Sequence, residues 1–355
     1  MKISVFSDPH CVEHDTGDHP EKPERWRAVD AALRSLQDLP GPALDFVCPQ
    51  AASDADLLRV HSQAHLQHIA AFCAAGGGRI DEDTLATAAT EQVARRSAGA
   101  AIAAVKNALE ARHAGHVALC RPPGHHALVE STMGFCFYNN AALAARWAQA
   151  EGGVGRVAIL DWDLHHGNGT EAIFWQDPSV LFMSLHQSPS WPGTGAATDI
   201  GEGPGTGYNV NVALPEGVGD TGYGVIFDRL FSPLMASFKP EILIVSAGFD
   251  AHWRDPLGKM GLSVAGFAGL TARALQWANE YCDGRGVFLM EGGYDIEALA
   301  ASWAATVQVL RGQPFRDPLG RGPAAENAPD VESALLATRC ALLPYWDNLS
   351  RVGKG

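Results

Sequence analysis

The sequence predicts a single α/β domain built on a parallel sheet, on the strength of three observations. Short apolar runs alternate with longer amphipathic stretches along the chain, which is the pattern of consecutive βαβ units. The runs are apolar throughout, as expected of strands that helices cover on both faces. Polar residues directly follow five of the runs, and open α/β sheets bind ligands at the carboxyl ends of their strands.

The apolar runs predict seven strands, ISVF, VAL, VAIL, VLFMSL, YNVNVAL, ILIVS and VFLM, at residues 3–6, 117–119, 157–160, 180–185, 208–214, 242–246 and 287–290. Helical patterns lie at about 53–75, 90–112, 140–150, 220–238, 263–282, 295–311 and 331–343. Ser53 and Asp56 have the spacing of a capping box, and Gly312 suits the end of a helix. The segment from Gly312 to about Pro329 is rich in proline and glycine.

Composition limits the class of protein. The 355 residues are 46% hydrophobic and contain no repeat, charge block or long linker, so we predict one domain over residues 1–355. A net charge of −14 argues against binding to nucleic acid or anionic membranes and is compatible with a cationic substrate. Seven cysteines without a CxxC pair and no visible signal peptide predict a cytoplasmic protein with reduced thiols. No apolar run approaches the roughly 20 residues that cross a bilayer.

The segment DWDLHHGNGT, residues 161–170, is the most informative one. It follows an apolar strand and brings two carboxylates, two imidazoles and two glycines. Residues two apart on a strand share a face, so Asp161, Asp163 and His165 are expected to project together. Asp163, His165 and Asp250 could form a three-ligand zinc site with an open fourth position. Alternatively, Asp163 caps a helix and His165 is a buried hydrogen-bonding residue.

Other strand ends carry further candidates. His125 and His126 follow Arg121-Pro122-Pro123-Gly124 in a turn that can present both rings to a cleft, and histidine suits proton transfer near neutral pH. The two rings could instead bind metal or belong to a merely polar loop. Tyr294, in the segment EGGY, could donate a hydrogen bond to a polarised carbonyl or be a partly buried aromatic.

A second group of histidines has a simpler interpretation. His61, His65 and His68 follow a helical spacing, but Ser62 stands where the metalloprotease motif HExxH requires glutamate. We predict an exposed or second-layer stripe on one helix. His10, His14 and His19 are expected on a loop at the rim of the site.

Six motifs occur in an order that resembles the zinc-dependent histone deacetylase superfamily: RPPGHHA, GFCFYNN, DWDLHHGNGT, SLHQ, GFDAH…DPLG and EGGY. The resemblance runs from about residue 19 to 311, leaving 312–355 as a C-terminal extension. It implies an arginase-like domain with a mostly parallel, eight-stranded sheet. The residues within these motifs are similar to those of the class II branch, and to those of bacterial deacetylase-like amidohydrolases and acetylpolyamine amidohydrolases. Asn168 stands where class I enzymes usually have aspartate.

The resemblance implies a role for each site residue. Asp163, His165 and Asp250 would hold one catalytic zinc ion, and Tyr294 would stabilise the oxyanion. His126 would be the general base and then the general acid, oriented by Asn168. His125 would be its electrostatic partner, oriented by Asp161.

The resemblance also implies a channel and a second ion. Phe135 and a second wall residue near His186 or Trp191 would line a narrow acyl-lysine channel, and Gly134 would let the substrate pass close by. A structural potassium ion would be held by main-chain oxygens of Asp161, Asp163, His165 and Leu185, together with Ser184.

One position departs from polyamine-selective eukaryotic relatives, which place glutamate in the segment DP-x-G. Leu257 stands there and offers no charge to a distal ammonium. This favours an N-acylated amine of the acyl-lysine type over a long polyamine. Asp81, Glu82 and Asp83 are expected on a solvated loop, although they could supply carboxylates at the rim.

Three other functions stay open on the sequence. A deacetylase of acetylpolyamines or of a small metabolite amide would use the same catalytic centre. A manganese ureohydrolase is disfavoured, because Asp250 is followed by Ala251 and His252 and not by a further bridging carboxylate. A catalytically silent acyl-lysine-binding protein would need a blocked channel. A homo-oligomer is also compatible with the sequence.

Overall fold

Strands and helices alternate along the chain in the computed structural model, which describes residues 2–111, 113, 115–323 and 325–351. The strands are β1 (Lys2–Phe6), β2 (Ala43–Val47), β3 (Gly77–Arg79), β4 (Leu85–Thr87), β5 (His116–Ala118), β6 (Val157–Asp161), β7 (Val180–Gln187), β8 (Asn209–Leu214), β9 (Ile242–Ala247) and β10 (Gly286–Met290). The α-helices are α1 (Pro23–Arg34), α2 (Asp54–Leu57), α3 (Gln63–Ala74), α4 (Thr90–Ala111), α5 (Asn140–Ala150), α6 (Asn168–Phe174), α7 (Asp220–Ile226), α8 (Ser232–Phe238), α9 (Val264–Tyr281), α10 (Ile296–Leu310) and α11 (Glu332–Leu342).

Eight strands form one sheet in the order β2-β1-β5-β10-β9-β6-β7-β8. Every neighbouring pair in this sheet is parallel, while β3 and β4 form a small antiparallel ribbon. The predicted α/β class and the seven predicted strands are confirmed. The sheet is wholly parallel, so β6, β9 and β10 end side by side at one edge of its centre.

Helices cover both faces of the sheet. Ala158 and Leu160 of β6 belong to one apolar cluster, whereas Val157 and Ile159 belong to another on the opposite face. All four side chains are fully buried. This explains why the strands are apolar at every position instead of alternating.

Five elements were missed from the sequence: α1, β2, α6 and the two strands of the β3–β4 ribbon. β2 lies at the edge of the sheet and buries only Leu44, so it lacks an apolar run. α1 starts with Pro23, which suits the first turn of a helix, and buries Trp26, Val29 and Leu33. That spacing is helical and could have been recognised directly after residue 25.

The helix predicted over 53–75 is two helices. α2 begins with the expected capping box between Ser53 and Asp56, but it ends at Leu57, and α3 starts after Ser62, which caps it. His61 therefore lies outside both helices and does not share a helical face with His65 and His68. The predicted 220–238 helix is also divided, by a π-helical turn at Phe227–Phe231 between α7 and α8.

The helix end predicted at Gly312 and the predicted C-terminal helix are both confirmed. α10 ends before Gly312, which has a φ of +65°, and α11 matches the predicted C-terminal helix. All seven cysteines are free, and five of them are buried. Within the described residues, no helix is long and apolar enough to cross a membrane.

Candidate active site

The carboxyl ends of the three central strands bring the most informative residues together. β6 lies between β7 and β9, and Asp161 at its end is in register with Ser246 of β9. β10 lies on the other side of β9, with Met290 in register with Ala247. The segments that follow these strands therefore start at the same edge of the sheet, as the sequence predicted.

Asp163, His165 and Asp250 form a compact cluster. One ligand atom from each lies within 4.8 Å of the others. The Nδ1 atom of His165 is 2.9 Å from Oδ2 of Asp250 and 3.4 Å from Oδ1 of Asp163. Both carboxylates are fully buried. Two oxygen donors and one nitrogen donor in this arrangement could hold a divalent metal ion.

Backbone N–H groups fix the carboxylates of this cluster. Asp163 accepts hydrogen bonds from the N–H of His165 at 2.9 Å and of Gly292 at 2.8 Å. Asp250 accepts one from the N–H of Leu164 at 2.8 Å. These bonds leave few orientations to either side chain, so the donor set is rigid before any ion binds.

Two glycines leave room for these carboxylates. A β-carbon on Gly248 would overlap the side chain of Asp163. A β-carbon on Gly292 would lie 2.5 Å from Oδ2 of Asp163 and 2.6 Å from Oδ2 of Asp250. A side chain at either position would displace these carboxylates, which explains the glycine directly after β9 and the glycine two residues after β10.

The cluster carries an excess of negative charge. Burial, together with the nearby charge of Asp163, raises the pKa of Asp250 to about 7. Burial opposes a positive charge on His165, but the two carboxylates outweigh it and raise the pKa of that ring to about 10. The site therefore favours a positive charge at its centre, which is what a metal ion supplies.

The two adjacent histidines have different hydrogen-bond partners. His125 donates from Nδ1 to Oδ2 of Asp161 at 3.0 Å. His126 donates from Nδ1 to Oδ1 of Asn168 at 2.7 Å. One ring thus contacts a buried carboxylate and the other a neutral amide, in the pairing that the sequence predicted.

This difference separates the charges of the two rings. Burial acts to lower the pKa of His125, but the charges of Asp161 and Asp163 outweigh it and hold the pKa well above its usual range. Burial and the neighbouring His125 and His165 hold the pKa of His126 well below its usual range. The metal-free site therefore has a charged His125 beside a neutral His126 whose Nε2 carries a free electron pair.

Glu291 supports the histidine turn and was missed from the sequence. Its buried carboxylate accepts hydrogen bonds from the N–H groups of Gly124 at 2.7 Å and His125 at 3.2 Å, and from the hydroxyl of Ser246 at 3.2 Å. The sequence does indicate a role for Glu291, because this glutamate of the segment EGGY directly follows β10. From the sequence, this segment was considered only for Tyr294.

Tyr294 is held from two sides. Its backbone N–H donates to Oδ2 of Asp255 at 2.6 Å, and the guanidinium of Arg25 lies 4.8 Å above its ring centre. Burial is the largest influence on the Tyr294 pKa and raises it well above its usual range. The phenol therefore keeps its proton at neutral pH and can donate a hydrogen bond. Asp255 and Arg25 are further supporting residues that the sequence did not single out.

A pocket of about 180 Å³ connects these groups to the surface. Its lining comprises Asp83, His126, Gly134, Phe135, His165, Trp191, Leu257 and Tyr294. Five residues that were predicted to contact substrate or catalyse its reaction thus share one pocket with His165 of the cluster: His126, Gly134, Phe135, Leu257 and Tyr294. The second wall is Trp191.

Comparison with known proteins identifies the family. The family described as "Histone deacetylase domain" matches residues 19–310. The chain is 41% identical over 306 residues to the histone deacetylase-like amidohydrolase of Pseudomonas aeruginosa, covering 85% of this chain and 80% of that protein. It is 39% identical over 293 residues to a probable deacetylase of Archaeoglobus fulgidus, covering 82% and 81%. The chain belongs to the histone deacetylase family.

Structural similarity agrees with that assignment. The crystal structure of the HDA15 HD domain superposes with a TM-score of 0.87 at 35% sequence identity, covering 99% of this chain and 98% of the other. The resemblance inferred from six motifs is therefore confirmed, and with it the arginase-like, eight-stranded fold. Membership also makes the chain an amidohydrolase of the deacetylase type.

His186 does not line the pocket of this deacetylase, contrary to one of the two options for its second wall. Its ring is buried on β7, where Nε2 bonds the carbonyl of Gly195 at 2.9 Å and Nδ1 contacts Oγ of Ser184 at 3.0 Å. Residues of β7 alternate between the faces of the sheet, and this face is internal. Burial and the nearby His166 lower the His186 pKa to about 3.

The residues expected to hold potassium lie around the end of β6. Ser184 of β7 is in register with Asp161, and Leu185 follows it on the same strand. Asp163 and His165 continue the chain from Asp161. The geometry brings the five predicted residues to one region.

Asp83 has a different position from the solvated loop that was expected. Its carboxylate lines the pocket and accepts a hydrogen bond from the N–H of Gly134 at 3.2 Å. Asp81 accepts one from Thr132 at 2.9 Å. These bonds tie the loop to the segment before Phe135. The backbone carbonyl of Glu82 accepts a hydrogen bond from Arg79 at 2.5 Å.

The N-terminal histidines are divided between rim and interior. His19 packs edge-on against Phe135 with ring centres 4.5 Å apart, so it lies at the rim as predicted. His14 is buried and contacts Thr90 at 2.7 Å, which places it behind the site. His10 is partly exposed and contacts Asp8.

Proposed function

We propose that this deacetylase removes an acetyl or related short acyl group from the side-chain nitrogen of an acylated lysine, with one zinc ion at Asp163, His165 and Asp250. The observation that carries the proposal is the convergence of three chemical groups on one pocket. These are the three-residue cluster, the neutral ring of His126 and the phenol of Tyr294.

The donor set fits zinc. Catalytic zinc sites use three protein ligands of nitrogen and oxygen type and leave a fourth position open. Asp163, His165 and Asp250 would hold the ion, and because His165 lines the pocket, a substrate in the pocket would reach it. When bound, the ion would supply a Lewis acid that polarises the amide carbonyl and lowers the pKa of a water molecule.

His126 moves the proton. Because its Nδ1 proton is donated to Asn168, the free Nε2 can accept a proton from the attacking water. The same nitrogen then returns that proton to the departing amine, as microscopic reversibility allows. Asn168 fixes the tautomer that this exchange requires.

His125 serves as a fixed positive charge. The buried Asp161 carboxylate holds its ring and favours the charged form. A positive charge beside the site stabilises the negative charge that develops in the transition state. His125 therefore does not exchange protons with the substrate.

Tyr294 stabilises the developing oxyanion. Its phenol is protonated at neutral pH, and Tyr294 lines the same pocket as His126. A hydrogen bond aimed at a charge that exists only in the transition state speeds the reaction without tightening substrate binding. Asp255, which holds the Tyr294 backbone, keeps the phenol at this position.

The apolar walls favour a neutral stem. Phe135, Trp191 and Leu257 line the same pocket, and their side chains suit the methylene chain of lysine. None of the three carries a charge that would attract a distal ammonium within the pocket.

A second substrate is favoured by one specific observation. The carboxylate of Asp83 lies in the pocket wall, where it could bind the ammonium of an acetylpolyamine. Burial and the neighbouring Asp81 raise the Asp83 pKa, which weakens this charge. We therefore rank acetylpolyamines second to acyl-lysine.

We further propose a structural potassium ion beside β6. It would be held by main-chain oxygens of Asp161, Asp163, His165 and Leu185 and by the hydroxyl of Ser184. Such an ion would offset the buried carboxylates at the strand end. The support is the register that places Ser184 beside Asp161.

The test is turnover by purified, zinc-loaded protein on matched substrates. Acetyl-lysine peptides, trifluoroacetyl-lysine, acetylputrescine and acetylspermidine would each be assayed with and without a chelator. Cleavage of the lysine substrates that the chelator abolishes is the expected result. Preference for the polyamines would overturn the proposed substrate and leave the zinc chemistry in place. Protein that binds zinc and the peptides but cleaves none of the four would be a binding protein.

A further inference from the structure

A four-residue turn, residues 133–136, contacts three of the catalytic side chains. The sulfur of its first residue accepts a hydrogen bond from the amide of Asn168 at 3.3 Å. Its second residue, Gly134, lies against the ring of His126, where an added β-carbon would come within 2.4 Å of Cδ2. The ring of its third residue meets that of Tyr294 edge-on, with centres 5.9 Å apart. A shift of this turn would therefore displace all three catalytic groups.

The backbone of the turn is left-handed at both central residues. Met133 and Cys136 exchange backbone hydrogen bonds of 3.2 and 2.9 Å, and φ is +55° at Gly134 and +69° at Phe135. Positive φ at both central positions is the mark of a type I′ turn, which favours glycine, asparagine and aspartate there. A bulky residue with positive φ is rare. Phe135 therefore needs surrounding contacts that hold it in this strained conformation.

The loop 81–84 supplies those contacts through two side chains. The carboxylate of Asp83 accepts the N–H of Gly134 at 3.2 Å, and the hydroxyl of Thr84 accepts the N–H of Phe135 at 3.0 Å. The same hydroxyl donates its own proton to Oδ1 of Asp83 at 3.1 Å. Thr84 is fully buried, so this acceptor is shielded from water. Each N–H at the centre of the turn thus has an acceptor from the loop.

Asp81 fixes the shape of this loop. Its Oδ1 accepts the N–H groups of Asp83 at 3.0 Å and of Thr84 at 2.7 Å, and its Oδ2 accepts the hydroxyl of Thr132 at 2.9 Å. Burial acts to raise the pKa of Asp81, but these hydrogen bonds outweigh it and lower the pKa. The carboxylate is therefore ionised at neutral pH, and bonds to an ionised acceptor are roughly twice as strong as neutral ones. One side chain thus closes the loop and ties it to the segment before the turn.

We propose that Asp81 is a positioning residue of this deacetylase, which acts through Thr84 to hold the strained turn 133–136 against His126 and Tyr294. This inference rests on the proposed function. Asp81 lies outside the residues that line the catalytic pocket, so it acts on the reaction through the turn. Loss of Asp81 or of the Thr84 hydroxyl lets the turn relax and moves the catalytic groups that it contacts.

The kinetic test pairs disruptive with conservative substitutions. Asp81→Ala and Thr84→Val should each lower kcat on an acetyl-lysine peptide by roughly 10- to 100-fold, since misplacing catalytic groups by about 1 Å can cost about 100-fold. Asp81→Asn and Thr84→Ser keep an acceptor oxygen at the same place and should restore most of kcat. KM should change less than kcat, whereas loss of a residue that only bound substrate would raise KM and leave kcat unchanged.

Thr206→Val is the matched control, because it deletes a partly exposed hydroxyl outside the residues that line the pocket. It should keep the native kcat, and circular dichroism checks that every variant is folded. Native kcat in both Asp81→Ala and Thr84→Val would overturn the proposal. So would folded conservative variants that are as slow as the disruptive ones.

Hydrogen exchange tests the role of the loop without turnover. The N–H of Phe135 should exchange at least tenfold faster in Asp81→Ala and Thr84→Val than in the native protein, because its acceptor is displaced or deleted. The N–H groups in the middle of α9 should exchange at the native rate. Native exchange at Phe135 in both variants would contradict the proposal.

Failure of the proposed function has a separate signature. If the zinc-loaded native protein does not cleave acetyl-lysine, the substrate assignment is wrong, and faster exchange at Phe135 in the variants would still support the hold of Asp81 on the turn. If the native protein cleaves the peptide and the variants exchange faster but keep the native kcat, only the positioning role is wrong.

Discussion

The Nδ1 atom of His126 lies 2.7 Å from Oδ1 of Asn168. The amide nitrogen of the same asparagine donates to the sulfur of Met133 at 3.3 Å. This second bond settles which end of the amide faces the histidine. The pair therefore presents His126 as the tautomer whose Nε2 can accept a proton, and Asn168 can be tested directly.

Replacing Asn168 by leucine should lower kcat by roughly 10- to 100-fold, the range typical of residues that orient a catalytic group. Leucine keeps the size of the side chain but cannot accept the Nδ1 proton. The Asn168→Asp variant is the control, because it retains an acceptor oxygen and needs no particular flip. Zinc content should be unchanged in both. Equal rates for the leucine variant and the native protein would rule out this role.

Asp250→Ala should abolish zinc binding and activity together. The substitution removes one of three donors and leaves Asp163 and His165 alone at the site. Metal content by mass spectrometry and turnover on an acetyl-lysine peptide are the measurements, with circular dichroism to check folding. A folded variant that retained one zinc per chain would show that Asp250 is not a ligand.

Tyr294→Phe should retain zinc but lose roughly 10²- to 10³-fold in kcat, as for other oxyanion donors. Phenylalanine preserves the ring contacts with Arg25 and Phe135 and deletes only the hydroxyl. KM should change little, because the hydrogen bond forms in the transition state. Turnover close to the native value would remove Tyr294 from the mechanism.

The parts of the fold that were predicted correctly are those whose signals are local. The strands β6 and β9 can be recognised in the sequence by unbroken apolar runs, because helices cover both faces of the sheet. β2 could not be found this way, since an edge strand with one buried residue needs no apolar run. The cluster of Asp163, His165 and Asp250 was predicted because parallel strands end at one edge.

The predictions that were wrong concern features that depend on contacts between segments distant in the sequence. The position of Asp83 in the pocket follows from its bond to Gly134, 51 residues away, and no pattern near Asp83 indicates it. The choice between His186 and Trp191 for the wall depends on the loop after β7, which covers His186 with the carbonyl of Gly195 and places Trp191 against the ring of His126. The histidine stripe was misjudged for the same reason, because His61 and His65 are bound by backbone groups of a remote loop.

Both ring nitrogens of His61 form hydrogen bonds with backbone groups of distant segments. Its Nδ1–H donates to the carbonyl of Leu128 at 2.9 Å, and its Nε2 accepts the N–H of Asn139 at 2.9 Å. Asn139 in turn caps α5. Both ring nitrogens are used in the neutral form, and a proton on Nε2 would face the N–H of Asn139. Burial, followed by the neighbouring His65, lowers the His61 pKa to about 3.

The pH dependence of folding should therefore contain a contribution from His61. In the unfolded chain its pKa is near 6.5, so below that pH the unfolded state binds a proton that the folded state refuses. The free energy of unfolding should fall by about 1.4 kcal/mol per pH unit for this residue as pH decreases from 6 towards 4. Above pH 7 the residue adds no pH dependence.

Urea unfolding of the native protein and of His61→Gln between pH 4.5 and 7.5 measures this contribution. Glutamine provides a donor and an acceptor but does not titrate. The native protein should be the more stable of the two at pH 7.5, and its advantage should shrink steadily below pH 6.5. Other buried histidines, such as His186, titrate equally in both proteins and cancel in the difference. Parallel pH profiles would mean that His61 is protonated in the folded state, which its two hydrogen bonds oppose.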